Sequence, residues 1–392
     1  MNIVYIISST NSNAGASKSF MTLLRGLKDK GIMASVVIPD RHDLYKEFKR
    51  MGIPAYVLPI RFNVYPEYNT FRNLLLFLPR LAYWQILNTF SVIKLTRLLR
   101  NKHIDIIHTN VGVINVGFRV AKKLRIPHIY HIREYADKDF NLHYFPTKSR
   151  FMQQVCAPNS YSICITDDIK RHHNLCDIKS AVTIYNGVCD SNNLTVSNEK
   201  SNYFLFVGRI EQAKGLDSLI KAYCTYVKKS PSIAIPLYIA GEVNDNCYYS
   251  NILNYISSED IKDKVHFLGP RKDVAKLMQQ AKAIIIPSVF EGFGRCLAEA
   301  MFNGCLTIGH NTGGTKEQFD NGKRLTGQEI GLRYDTVDQL TEHLHTISSN
   351  TQDKFATMIN NASKVACKLY SNESYVSNVY NLYKEIIYDT TH

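Results

Sequence analysis

Two carboxylates, Glu291 and Glu299, stand eight residues apart in the stretch SVFEGFGRCLAEAMFNG (288–304). A carboxylate is an acceptor only, and it suits the paired hydroxyls of a polyhydroxylated ligand. Gly292 and Gly294 would place Glu291 in a turn and Glu299 about one turn into the next helix. Orphan amides at that helix start attract an anion. The plainer alternative is that Glu291 caps the helix and Glu299 decorates it. A second loop, in FVGRIEQAKGLDSLIKAY (206–223), carries Arg209 and Lys214 between a strand and a helix. Two cations there could clamp a pyrophosphate, or could be ordinary solvated surface cations. A third loop, in NAGASKSFMTLLRGL (13–27), offers Gly15 for close backbone approach at a helix start. No G-x-G-x-x-G accompanies it, and alone it is equally a plain strand–helix turn.

Such loops need a scaffold, and the rest of the chain supplies one. Six β-rich runs occur in the first half, at 2–8, 34–39, 104–109, 127–132, 161–166 and 181–186. Six more occur in the second, at 203–208, 235–241, 264–269, 282–288, 305–310 and 330–334. Helix-like segments alternate with them. Continuously apolar strands alternating with helices imply an α/β fold with doubly wound parallel sheets. The polar stretch 189–202 reads as a linker. The expected organisation is a Rossmann-like N-terminal domain over 1–195, a second such domain over 196–370, and a C-terminal helix, 371–392, that crosses back. Ligands of such sheets bind at the carboxyl ends of the strands, where all three loops fall.

The chain has 392 residues, enough for two cores. Its formal charge is +13, and residues 1–195 hold 26 Lys+Arg against 13 Asp+Glu, while 196–392 hold 21 of each. The whole excess is therefore in the first half, which suits an anionic partner or a solvated basic face. Nine cysteines are scattered singly without metal spacing, as in a reducing compartment. The N-terminus lacks a basic region and a long apolar run, and reads as a first strand rather than a signal peptide. In the most apolar tract, 74–93, Pro79 and Arg80 interrupt the run and argue against a membrane span.

The pattern E-G-F-G-x-x-x-x-E-A-M, with VGRIEQAKG about 80 residues before it and NTGGTKEQF (311–319) after it, resembles family 4 of the retaining glycosyltransferases. HIRE (131–134) and IYNGV (184–188) match its N-terminal half. The resemblance implies the GT-B fold, two such domains facing across a cleft, the N-terminal one for the acceptor and the C-terminal one for a nucleotide-sugar donor. It implies transfer of a sugar to a saccharide with retention of configuration. Glu291 would then bind donor-sugar hydroxyls, and Glu299 the ribose. The backbone amides of Phe293, Gly294, Arg295 and Cys296 would hold sugar and phosphate. Arg209 and Lys214 would neutralise the diphosphate, Gly15 would allow close approach, and His131 would face the sugar. Glu291, His131, Arg209 and Lys214 are the expected catalytic set. No cofactor or essential metal is implied beyond the co-substrate. A GT-B sugar-nucleotide epimerase is the alternative enzyme. A nucleic-acid binder ranks far below, because no recognisable module accompanies the charge.

Asp137 and Asp139 form a D-x-D that could bind a divalent ion, but acceptor binding or solvation ranks above it. Residues 41–100 hold ten Lys+Arg against three Asp+Glu and include the apolar tract with Tyr83 and Trp84. That composition suits a helix lying on an anionic membrane. The expectation is a peripheral enzyme at the cytoplasmic face, acting on a lipid-linked saccharide in surface polysaccharide synthesis. An ordinary buried helix pair is the alternative for 74–93.

Overall fold

The computed structural model describes residues 1–12, 14–194 and 200–391. Asn13 of the first loop and 195–199 of the expected linker lie outside them. The chain divides into two compact units, Met1–Gly187 with Asn372–His392, and Val188–Ser371. The first division precedes the 195/196 boundary read from composition. The polar stretch begins by pairing within the second unit, where the Val188 amide donates to the Tyr370 carbonyl at 2.9 Å and Cys189 bridges Ser371.

The first unit is built on strands β1 (Asn2–Ile6), β2 (Met33–Ile38), β3 (Ala55–Val57), β4 (Ile106–Thr109), β5 (His128–Ile132), β6 (Ser160–Cys164) and β7 (Ala181–Thr183). They form one parallel sheet in the order β3-β2-β1-β4-β5-β6-β7. β1 is buried from Ile3 onward, because helices cover both faces of such a sheet. The helices Gly15–Asp29 and Asn372–Thr391 pack on it, bringing Leu23, Leu24 and Leu27 against Val376, Val379 and Tyr383 in one core. β3 was not among the expected strands. It has three residues at the sheet edge between Pro54 and Pro59, too short for a periodic signal.

The apolar tract forms two helices, Phe71–Leu75 and Phe77–Leu99. Pro79 does not interrupt the longer one. It lies in the first turn, where a missing N–H leaves no intrahelical bond unmade. The tract is not the buried pair held open as an alternative, since no side chain between Phe71 and Leu87 is buried. Among the described residues no helix is long and apolar enough to cross a membrane.

The second unit carries β8 (Phe204–Val207), β9 (Leu237–Ala240), β10 (Val265–Gly269), β11 (Ala283–Ile286), β12 (Thr307–His310) and β13 (Leu332–Tyr334). Its parallel order is β10-β9-β8-β11-β12-β13. All six match expected runs. Phe204, Phe206, Ile239, Ile285 and Ile308 fill its core with Leu219 and Tyr223 of the helix Leu216–Lys229. In both sheets the strand order reverses at the centre, at β1/β4 and at β8/β11. Loops leaving those strands diverge and open a crevice, the place where α/β sheets take ligands.

Candidate functional site

In the second unit the crevice is flanked by the loops after β8 and β11, neighbours in the sheet but about 80 residues apart in sequence. The β8 loop closes in a short 3-10 turn, Gln212–Lys214, and Gly215 follows at φ +66°. A Cβ on Gly215 would lie 2.1 Å from the Pro287 carbonyl oxygen. Only glycine allows this approach, which seats the Lys214 turn on the end of β11. Lys214 Nζ reaches Glu291 Oε1 at 2.5 Å, and the Ser288 hydroxyl donates to the same oxygen at 2.9 Å. Both charged side chains are largely buried, at 22% and 18% exposed. Among the described residues Glu291 Oε2 accepts no hydrogen bond. The Gly314 amide donates to the Glu291 carbonyl at 2.7 Å and anchors the turn.

Gly294, at φ +82°, begins the helix Arg295–Phe302. The cap has no side-chain hydrogen bond and the first turn no acidic residue, so neither a capping side chain nor a first-turn carboxylate offsets the positive end of the dipole. Gln318 Nε2 donates to the carbonyls of Phe293 and, at 3.1 Å, of Gly294. Tying these carbonyls inward fixes how the loop's backbone is presented. Buried Phe293 also packs edge-on against Tyr370, with ring centroids 5.5 Å apart. Glu299 sits one turn into the helix and pairs with Arg295 at 3.3 Å. Half-buried Cys296 follows Arg295, and burial pushes its thiol well above the usual range.

The structure thus joins Lys214 and Glu291, and adds Ser288, which sequence reasoning missed. It does not build the two-cation clamp. Arg209 is exposed and bonded to Glu211 at 2.9 Å. A five-residue offset cannot show which cation turns inward; the turn at 212–215 decides it.

In the first unit Gly15 is the exposed first residue of its helix, in the loop after β1. His131 is not where the resemblance put it. It lies within β5, paired with Ile163, and is 0% exposed, with the Tyr375 ring of the C-terminal helix 6.2 Å away. Burial, then Arg133, then His108 hold its pKa well below the usual value, so the ring is neutral. Its Nδ1 faces His108 Nε2 at 3.2 Å and Arg133 Nη2 at 3.3 Å. Arginine can only donate, so Nδ1 accepts and the proton sits on Nε2. That Nε2 is buried with no partner among the described residues. His108 Nδ1 continues the chain to the Tyr383 hydroxyl at 2.6 Å.

The group that leaves the strand end is Arg133, half-buried, two residues on. Its guanidinium donates to the Asn110 carbonyl and side-chain oxygens at 2.9–3.2 Å, to Asn186 Oδ1 at 2.6 Å and to the Tyr375 hydroxyl at 3.1 Å. Every one of these partners is neutral, so the cation is held in place without being neutralised. Sequence reasoning quoted both HIRE and IYNGV but passed over Arg133 and Asn186. The usable signal was position, the first charged side chain past the carboxyl end of a parallel strand.

Glu134 points the other way, into the protein. Its carboxylate accepts from the amides of Gly112 (2.7 Å), Val113 (3.2 Å) and Arg133 (3.1 Å). Burial, helped by nearby Asp139, still pushes its pKa up to about 7. Asp137 and Asp139 do not converge. Asp137 pairs with His172 at 2.8 Å, and Asp139 accepts from the Tyr135 amide at 3.0 Å. Among the described residues no three His, Cys, Asp or Glu side chains form a metal-sized cluster.

Residues 14–191 match Glycosyltransferase Family 4 and residues 192–365 match Glycosyl transferases group 1. An uncharacterized glycosyltransferase of Methanocaldococcus jannaschii is 26% identical over 331 residues, covering 82% of this chain and 87% of that protein. The HepE protein of Anabaena, solved with UDP, superposes with a TM-score of 0.78 at 19% identity, over 98% of this chain and 100% of that one. A lipopolysaccharide outer core galactosyltransferase superposes with a TM-score of 0.66 at 16% identity, over 98% and 99%. With two parallel-sheet units in the GT-B fold and adjoining matches from 14 to 365, the chain belongs to the family 4, group 1 glycosyltransferases.

Proposed function

We propose that the chain moves a sugar from a nucleotide-sugar donor to a saccharide acceptor with retention at the anomeric carbon. The observation that carries this reading is the Lys214–Glu291–Ser288 cluster, set at the β8/β11 crevice beside the helix that starts at Gly294. Glu291 Oε2 accepts from donor-sugar hydroxyls, while Glu299 holds the ribose. Lys214 and the loop amides of Phe293, Gly294, Arg295 and Cys296 take the diphosphate, with Arg209 as an outer cation. Structures of the Anabaena protein with UDP and with UDP-glucose support a donor of this class.

In the reaction the bond from the anomeric carbon to the phosphate oxygen breaks, and its electron pair stays on the diphosphate. Positive charge develops on the sugar and negative charge on the leaving group. The loop amides at the Gly294 helix start are fixed donors that stabilise it, and Lys214 adds its charge on leaving Glu291, so no metal is required. The acceptor hydroxyl forms the new bond on the face the diphosphate leaves, and its proton passes to the departing phosphate oxygen. In the N-terminal unit Arg133 replaces His131 as the ligand-facing group, and the neutral His131–His108 pair positions it. The acceptor is a lipid-linked saccharide and the setting is surface polysaccharide synthesis at the cytoplasmic face of a membrane. The basic first half and the likeness to a lipopolysaccharide galactosyltransferase support this.

Thermal stabilisation by a panel of nucleotide sugars identifies the donor. Nucleotide diphosphate should then be released only when a saccharide acceptor is present, and NMR of the product's anomeric proton should show the donor's configuration. Turnover of the donor into an epimer without acceptor refutes transfer, and an inverted product refutes retention.

A further inference from the structure

The helices Phe71–Leu75 and Phe77–Leu99 turn apolar side chains outward. Of the large apolar residues exposed on the described chain, Phe71 (77%), Leu78 (71%) and Ile86 (65%) are among the most open. On the longer helix Leu78, Ala82, Ile86 and Ile93 recur at helical spacing and form one outward stripe. The opposite face holds the helix to the unit. Asn88, Ser91, Val92, Leu95 and Leu99 are buried there, with Asn88 accepting from the Arg61 amide at 2.9 Å and Ser91 donating to the Pro59 carbonyl at 3.2 Å. The apolar stripe is therefore a built surface on an anchored helix. A contiguous exposed apolar patch of this kind marks an interaction site.

Charge identifies the occupant. Residues 68–100 contain Arg72, Arg80, Lys94, Arg97 and Arg100 and no Asp or Glu. All but Arg80 of these are exposed. A protein partner or a second copy of this chain would have to supply anions across an apolar surface that is itself uniformly cationic. An anionic bilayer supplies both, acyl chains below a plane of phosphates.

We infer that this face docks on an anionic phospholipid surface. Leu78, Ile86 and Ile93 enter the acyl boundary, and Arg72, Lys94, Arg97 and Arg100 meet lipid phosphates. Docking here rests on nothing in the transfer chemistry. It brings a lipid-linked acceptor to the unit whose strand ends carry Arg133.

Trp84, the only tryptophan in the chain, lies on the anchoring side of this helix, four residues before Asn88 and seven before Ser91, so Trp84→Phe with Ala82→Trp moves the single reporter into the exposed stripe. The full-length protein is mixed with phosphatidylcholine vesicles containing or lacking phosphatidylglycerol, without donor or acceptor. Emission of the Ala82→Trp reporter should shift to the blue and be quenched by brominated phosphatidylglycerol at low salt, and the effect should weaken as salt rises. Arg72, Lys94, Arg97 and Arg100 changed together to Gln should lower partitioning by roughly six hundredfold, about fivefold for each charge. Leu78→Gln, Ile86→Gln and Ile93→Gln together should lower it by at least about tenfold. All seven positions are exposed, so the variants should fold, and unchanged titration with a nucleotide diphosphate verifies that. Equal binding to neutral vesicles overturns the inference, as does pelleting without a shift of the Ala82→Trp reporter. Concentration-dependent dimerisation that buries the Ala82→Trp reporter without lipid also overturns it. Nucleotide binding is read separately, so either proposal can fail alone.

Discussion

Replacing Glu291 with Gln should lower turnover of the nucleotide sugar without lowering affinity for the bare nucleotide diphosphate. The substitution keeps the size and one acceptor oxygen but removes the charge. A hydrogen bond to a charged group contributes about 1.5–3 kcal/mol against about 0.5–1.5 for a neutral one. Losing that difference on one or two sugar hydroxyls lowers kcat/KM with the nucleotide sugar by roughly tenfold or more. The same change releases Lys214, whose Nζ lies 2.5 Å from Glu291 Oε1 in a pair only 22% and 18% exposed. The ammonium then has no carboxylate to leave when a diphosphate arrives. An ion pair open to water contributes about 0–1 kcal/mol, and this one is more enclosed. Affinity for the bare nucleotide diphosphate should therefore stay level or rise, up to about fivefold. Steady-state kinetics and isothermal titration give the two numbers on one preparation. If Glu291→Gln weakens both substrate turnover and bare diphosphate binding by the same factor, the assignment of Glu291 to the sugar and Lys214 to the phosphate is wrong.

Lys214→Ala should weaken nucleotide diphosphate binding by about tenfold, the value of one charge-assisted contact. Arg209→Ala, which removes an exposed cation already paired with Glu211, should weaken it less, and equal effects in titration would contradict the observed inward and outward placement. Activity should survive EDTA; complete loss restored by Mn²⁺ or Mg²⁺ would overturn the metal-free account. Arg133→Ala should lower kcat with little change in donor affinity, and Arg133→Lys should restore only part of it, because a point charge cannot span Asn110 and Asn186. Glu134 has a folded pKa raised to about 7 by burial and Asp139, so its contribution to stability is complete below its unfolded value and lost as pH rises through 7. The melting temperature should therefore fall between about pH 4.5 and pH 7 and level off above that. Glu134→Gln should flatten that slope, and an unchanged slope would remove Glu134 as its source.

By itself the sequence determined the fold class, twelve of the thirteen strands and the two loops of the second unit that meet at the candidate site. These are local properties. A strand buried on both faces is an apolar run, and a glycine-broken carboxylate loop at its end is visible in one dimension. β3 escaped because three edge residues between prolines have no period. Tertiary structure alone decided which side chains meet. β8 and β11 are adjacent only in the sheet, and that adjacency, tightened at Gly215, gives Glu291 to Lys214 and Ser288 while Arg209 turns to Glu211. His131 and Arg133 sit two residues apart in the same motif. One is covered by the helix Asn372–Thr391 and the other is carried past the strand end. Composition likewise could not say whether the tract from 71 to 99 faces a core or the outside. An apolar residue records a preference for burial, but what buries it depends on surfaces assembled from distant parts of the chain.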